Sequence, residues 1–279
     1  MANLLKSDLY RFFKSKQFII ISIIVLVFAV MVPLLNYVAD AVLERLQGSD
    51  YIGDLRSTSS AFASMQSALN PGSLFGFLLP IFVGVVLASD FKDGTIRNKI
   101  ITGVSKEKIH LSNYLASLIF IVACMIGYGL LAFLVSLIFY NVVPSNVEAG
   151  MFIGNLFLTL LFDIIYYCFI ASVILLLVML FRSVGLSSFM YILLLFAFQF
   201  VGGIIMAIIS AIELYETNMD GLINFLNVLL WINPFYLMGV LTISDYSTAL
   251  IVSNIITPII WGTINFFLAY LLLKKKDIK

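Results

Sequence analysis

Residues 89–110 bring together Asp90, Lys92, Asp93, Arg97, Lys99, Lys106, Glu107, Lys108 and His110 between two long apolar runs. The rest of the chemically capable inventory is sparse and scattered. His110 is the single histidine, with no cysteine or acid cluster beside it, whereas a zinc site needs three or four ligands. Cys124 and Cys168 both sit inside apolar runs and read as packing or lipid-facing thiols rather than a disulfide framework. Asp163 is the one acid deep inside an apolar run, and an aspartyl dyad needs two facing carboxylates. No nucleophile–base pair can be assembled, so an enzyme ranks last. What residues 89–110 offer is a docking surface. Asp93-Gly94-Thr95 reads as a turn and helix start, with Asp93 or Thr95 as cap. Ile96 and Ile100 fall on one helical face, while Arg97 and Lys99 point elsewhere. Gly103 stops that helix, and Ser105 caps the next with Glu107 in its first turn. The plainer alternative is an ordinary basic loop touching lipid headgroups.

The elements that hold this loop follow from composition. The chain is 62% hydrophobic and 11% charged, against about 25% charged for soluble domains. Continuous apolar runs without period-two alternation recur along its length, so the predicted fold is an all-α polytopic membrane protein. Residues 1–16 predict an amphipathic interfacial helix, with Leu5, Leu9, Phe12 and Phe13 on one face and Ser7, Arg11 and Lys14 on another. Residues 17–279 form a single membrane domain with six transmembrane helices, at about 17–38, 73–88, 112–140, 151–181, 184–212 and 248–273. The first run, about 22 residues, exceeds a signal-peptide core and reads as an uncleaved span. Gly72, Gly76 and Gly84 allow close helix approach in the second. Residues 40–70 read as a polar loop, whose first residues, 40–46, extend span one's helix, and Arg182-Ser183 as a tight turn.

Residues 222–243 are apolar enough to cross, but Asn233-Pro234 cuts them into halves of about ten residues, each short of the ~30 Å of hydrocarbon. Charge decides their fate. With six spans, one side holds Lys6, Arg11, Lys14, Lys16, Lys92, Arg97, Lys99, Lys106, Lys108, Arg182, Lys274, Lys275, Lys276 and Lys279. The other side holds Arg45 and Arg56, together with Asp40, Glu44, Asp50, Asp54, Glu148, Glu213, Glu216, Asp220 and Asp245. A seventh span would reverse the terminal lysines. The segment therefore reads as outer re-entrant half-helices before span six, with Trp231 and Tyr236 as interfacial anchors. Both termini and the 89–110 loop fall on the cytoplasmic side of the cell membrane. A net charge of +1 gives no reason to expect nucleic acid as a partner. Asp163 must face protein or water, because a carboxylate at the helix centre costs about 2.5–3.5 kcal/mol on insertion scales. It is a candidate for a translocation path or an interface, or else a structural group bonded to Tyr166 or Tyr167. Gln199, Asn254 and Asn265 are weaker intramembrane polar groups, adequately explained by interhelical hydrogen bonds.

The order of elements and three short motifs resemble the type-2 ATP-binding-cassette (ABC) permeases, the membrane subunits of ATP-driven exporters. Asp90, Asp93, Gly94 and Thr95 stand where that family carries an acidic motif ending in Gly-Thr after the second span. Gly103-Val104-Ser105-Lys106 stands at its Pro-Val-Ser-Arg-like turn, and Asn233-Pro234-Phe235 in its broken hairpin before the last span. The family's acidic positions are usually glutamates and its turn starts with proline; here there are aspartates and Gly103. The resemblance implies a coupling helix over Asp90, Asp93, Gly94, Thr95, Ile96, Arg97, Lys99 and Ile100 that docks on a separate ATPase subunit. The chain has no Gly-x-x-x-x-Gly-Lys-Ser/Thr loop, so ATP and Mg would be bound by that partner and no cofactor by this chain. The resemblance also implies a second permease copy or a related permease, and an amphipathic or hydrophobic cargo such as an antimicrobial peptide, a drug or a lipid-like compound. The competing reading is a non-transport membrane immunity or sensor protein that binds a toxin or partner without ATP.

Overall fold

The computed structural model describes residues 1–47, 60–143, 149–215, 219–239 and 248–275. Asp50, Asp54, Arg56, Glu148, Glu216, Asp245, Lys276 and Lys279, which entered the charge count, the loop reading or both, lie outside them, as do residues 57–59 and 240–243. Every element among the described residues is helical. In chain order these are α1 (Ala2–Lys14), α2 (Lys16–Gln47), α3 (Ala61–Leu69), α4 (Leu74–Lys92), α5 (Thr95–Ile101), α6 (Lys106–Ser136), α7 (Ala149–Phe181), α8 (Val184–Leu214), α9 (Asp220–Ile232), α10 (Pro234–Gly239) and α11 (Thr248–Lys275). Six stretches are long and apolar enough to cross a bilayer: Lys16–Val42, Ala61–Lys92, Lys106–Ser136, Ile153–Phe181, Val184–Leu214 and Thr248–Lys275. The fold is the expected all-α polytopic one.

The centre is α7, which packs against α3, α4, α6, α8 and α11. Phe162, Tyr166, Tyr167, Phe169, Ile170 and Leu175 are all buried there, while Phe157 and Leu161 nearer its start stay exposed. By contrast α2 buries a narrow stripe including Ile21, Ala29 and Pro33 and leaves Ile19, Ile23 and Leu35 exposed, as a helix bordered by lipid would. Pro33, Pro80 and Pro258 lie inside α2, α4 and α11; neighbouring helices and local adjustment make intrahelical proline tolerable in a membrane.

Three boundaries differ from the sequence reading. The end of the expected 40–70 loop is α3, capped by Ser60, whose Oγ accepts from the Ala63 N–H at 3.0 Å. Its small residues Ala61 and Ala68 lie buried, and the helix packs on α6. An alanine-rich turn has high helix propensity but too few large apolar residues to register as a span. Span three starts at the Ser105 cap rather than at 112, and the helix ends at Ser136, with 137–140 in a turn and bend. Span two continues past 88 to Lys92. In both, hydropathy marks the bilayer edge while capping chemistry marks the helix end.

The hairpin before the last span is broken where expected. Asn233 separates α9 from α10, and its Oδ1 caps α10 by accepting from the Tyr236 N–H at 3.1 Å. Its Nδ2 donates to Phe198 O at 2.8 Å. The carbonyls freed at the end of α9 are met by α11: Thr257 Oγ1 donates to Trp231 O at 2.7 Å and Trp261 Nε1 to Ile232 O at 3.1 Å. Gln199 of α8 donates to Phe235 O. Tyr236, expected as an interfacial anchor, is half-buried against α8. It packs on Gly202, where an added Cβ would lie 2.3 Å from its ring.

Candidate functional site

The end of α4 turns a corner through two left-handed glycines. Asp93 ends α4, its N–H donating to Ser89 O at 2.8 Å. Gly94 follows at φ 68° and α5 begins at Thr95. Neither Asp93 nor Thr95 supplies a side-chain cap to α5, contrary to the sequence expectation. The backbone reversal at Gly94 starts the helix instead. At the other end the Gly103 N–H donates to Ile100 O and the Val104 N–H to Lys99 O, both at 3.0 Å, with Gly103 at φ 84°. This paired closure is the Schellman arrangement. Ser105 Oγ then accepts from the Lys108 N–H to open α6.

A four-charge cluster fastens α5 to its surroundings. Lys99 Nζ donates to Asp8 Oδ1 of α1 at 2.6 Å. Ser112 Oγ of α6 donates to Asp8 Oδ2 at 2.6 Å. Arg11 of α1 pairs with Asp90 of α4 and lies 3.8 Å from Asp8. Asp8 and Asp90 are each 1% exposed. Two carboxylates face two cations, which is the condition for keeping charge out of water. The cluster thus joins α1, α4, α5 and α6 at one end of the bundle. The same end is sewn to the last helix: Lys106 Nζ donates to Lys274 O at 3.1 Å, and Tyr270 OH to Glu107 Oε1 at 2.7 Å. His110 lies beside this seam, its Nε2 3.1 Å from Phe266 O and its ring stacked obliquely on Phe266.

The residues singled out in sequence separate into two sets here. Asp90, Ile96 and Lys99 face inward: Ile96 is fully buried, so it seats α5 on the bundle and cannot present an apolar face outward. Ile100 is half-buried, as are Gly94 and Thr95. Asp93 and Arg97 are exposed. The exposed apolar residue is Ile101, at 72%, flanked by Arg97 and Asn98 one turn earlier. Sequence reasoning missed Asp8, Ser112 and Ile101. Asp8 did carry a signal: it is the sole acid before Asp40 and stands three residues from Arg11.

The intramembrane polar residues form no common site. Asn254 pins α11 to α7, its Oδ1 accepting from Tyr166 OH at 3.0 Å. Tyr167 OH donates to Leu69 O at 3.1 Å. Both tyrosines are therefore engaged elsewhere, and the expected Tyr166 or Tyr167 bond to Asp163 is not made. Asp163 is wholly buried, and neither oxygen has a hydrogen-bond partner among the described residues. Gln199 serves the hairpin as described above.

Among the described residues the arrangement brings no reacting pair together. What it offers is a short helix with an outward face of Arg97, Asn98 and Ile101, tied through Lys99 and Asp8 into the cluster that joins α1, α4 and α6. Among the described residues no group of three or more His, Cys, Asp or Glu could hold a metal ion. A family model described as ABC-2 family transporter protein matches residues 2–278. No match is found among curated proteins.

Proposed function

This chain belongs to the ABC-2 family of transporter proteins, and from that premise we propose that it is the permease subunit of an ATP-driven exporter. It is a multi-pass membrane permease of ABC transport, and family members of this kind work with an ABC ATPase subunit. In our reading α5 is the coupling helix. A separate nucleotide-binding subunit, carrying ATP and Mg, docks on Arg97, Asn98 and Ile101, with Asp93 at the hinge. Its closure moves α5 as a rigid body with α1 and α4. Two permease chains, identical or related, complete the transporter. The basic end faces the cytoplasm of a cell membrane by the positive-inside rule, which puts both termini there and the α9–α10 hairpin in the outer leaflet as a re-entrant element. Cargo is amphipathic or hydrophobic: an antimicrobial peptide, a drug or a lipid-like compound. Asp163 is the candidate on the conformational path, since a wholly buried carboxyl without a donor calls for a functional explanation. Gln199 and Asn254 act as interhelical ties.

The observation that carries this reading is the buried attachment of α5 to three other helices while Ile101 stands 72% exposed. The test is co-purification of the chain with an ATPase subunit from its native membrane. Ile101→Asp together with Arg97→Glu should abolish capture and transport while leaving the permease folded. Undiminished capture and transport in that variant would remove α5 as the docking element. Transport activity with no ATPase partner would instead favour an immunity or sensor protein.

A further inference from the structure

A cavity of about 720 Å³ opens beside the coupling corner, between the start of α2, the end of α4 and the α7–α8 turn. Its polar wall comprises Gln17, Ser89, Lys92, Asp93, Arg182 and Ser183. That volume is within the ~300–1,000 Å³ range of ligand sites and too large for a packing defect. None of the coupling contacts described above uses Lys92 or Arg182.

Two cations meet one carboxylate on this wall. Lys92 ends α4, is exposed, and has no ion-pair partner among the described residues. Arg182 forms the two-residue connection with Ser183, its guanidinium held 5.5 Å over the Phe91 ring. A ring face is a favourable seat for a cation, and a guanidinium carries five N–H donors in a planar fork. Ser183 makes no side-chain cap bond to α8, and Val184 and Gly185, at the head of that helix, also line the cavity. The first N–H groups of a helix lack intrahelical acceptors, so they add donors to the wall that the two cations already make.

Depth identifies the ligand. The cavity sits where α2 and α8 begin and α4 ends, the level of lipid headgroups at the basic end. Directly along the same helices the surface turns apolar, with Ile20 and Ile23 of α2 and Leu186 and Phe189 of α8 exposed. A headgroup in the cavity would therefore lead its acyl chains onto matching hydrocarbon-facing surface. Basic pockets between transmembrane helices are the usual seat of anionic headgroups. We propose that this cavity binds the phosphate of an anionic phospholipid, with Lys92 and Arg182 as its charged ligands.

The experiment uses the full chain purified in detergent without an ATPase, so it stands apart from the coupling reading. Thermal stability is titrated with short-chain phosphatidylglycerol, short-chain phosphatidylcholine and inorganic phosphate. Phosphatidylglycerol should raise the unfolding midpoint, with phosphatidylcholine and inorganic phosphate at least tenfold weaker. Lys92→Gln should weaken phosphatidylglycerol binding about five- to tenfold, Lys92→Arg should restore it, and Lys108→Gln, at the same end but outside the cavity, should leave it unchanged. Arg182→Gln should act like Lys92→Gln; if its left-handed position makes that variant unstable, the Lys92 series decides alone. Equal response to the two lipids, or full binding by Lys92→Gln, overturns the site. Inorganic phosphate binding as tightly as phosphatidylglycerol overturns the lipid as its occupant.

Discussion

At the scale of single residues, the buried cluster around Asp8 has an energetic signature. Each charge there is tolerated because its partner is present, and removing one partner strands the other. Lys99→Met leaves Asp8, 1% exposed, without its closest cation. The expected cost is about 3–5 kcal/mol, read as a lowered unfolding midpoint in detergent. Adding Asp8→Leu should recover part of that loss, because a hydrophobic pair replaces a buried carboxylate that has lost its closest cation. If the two substitutions instead cost the sum of their separate effects, the pairing carries no coupling energy. Asp163 poses the opposite problem: among the described residues neither of its oxygens has a partner from the start. Asp163→Asn should therefore fold to normal levels, and transport should fall at least tenfold. Full transport at normal protein level would place this carboxyl outside the transport mechanism.

At the scale of elements, α5, proposed above as the coupling helix, depends on two backbone reversals. Gly94 and Gly103 take φ 68° and 84°, and an added Cβ would meet nothing within 4 Å at either. The penalty for Gly94→Ala is then purely conformational, about 1–2 kcal/mol, with Gly94→Asn milder because asparagine tolerates this region. Equal stability of the alanine and glycine forms would mean that α5 does not need the turn. The broken hairpin is stabilised differently, by side chains of neighbouring helices reaching its open ends. Thr257→Val removes the donor to Trp231 O and keeps the shape. Interhelical hydrogen bonds in membranes average about 0.6 kcal/mol with a maximum near 1.7, so a drop in that range is expected on thermal unfolding. A larger loss would show that the hairpin collapses as a unit.

At the scale of the whole molecule, α7 is the axis and the basic end is the rigid plate. The seam from α1 through α5 and α6 to α11 ties the first and last helices to the corner between α4 and α5. In the proposed coupling, a push on α5 would reach α1 and α4 through the buried cluster, and α11 through the adjoining seam.

The sequence by itself determined the membrane class, six crossings, the amphipathic first helix, the break at Asn233 and the placement of a short helix after span two. These are read from local quantities: apolar run length, turn residues and the side on which lysines and arginines accumulate. The family followed from motifs spread along the chain. Local quantities could not tell which face of α5 turns inward. Ile96 and Ile101 are equally apolar in the sequence, yet one is fully buried and the other 72% exposed. Helix α3 escaped for a similar reason: its small residues are buried by α6, not by their own hydropathy. Only the tertiary structure decided that Asp8, Arg11, Asp90, Lys99 and Ser112, up to 104 positions apart, share one buried site. Ion pairing of that kind depends on distance in space, and distance in space is fixed by how the helices pack, not by how the residues are spaced.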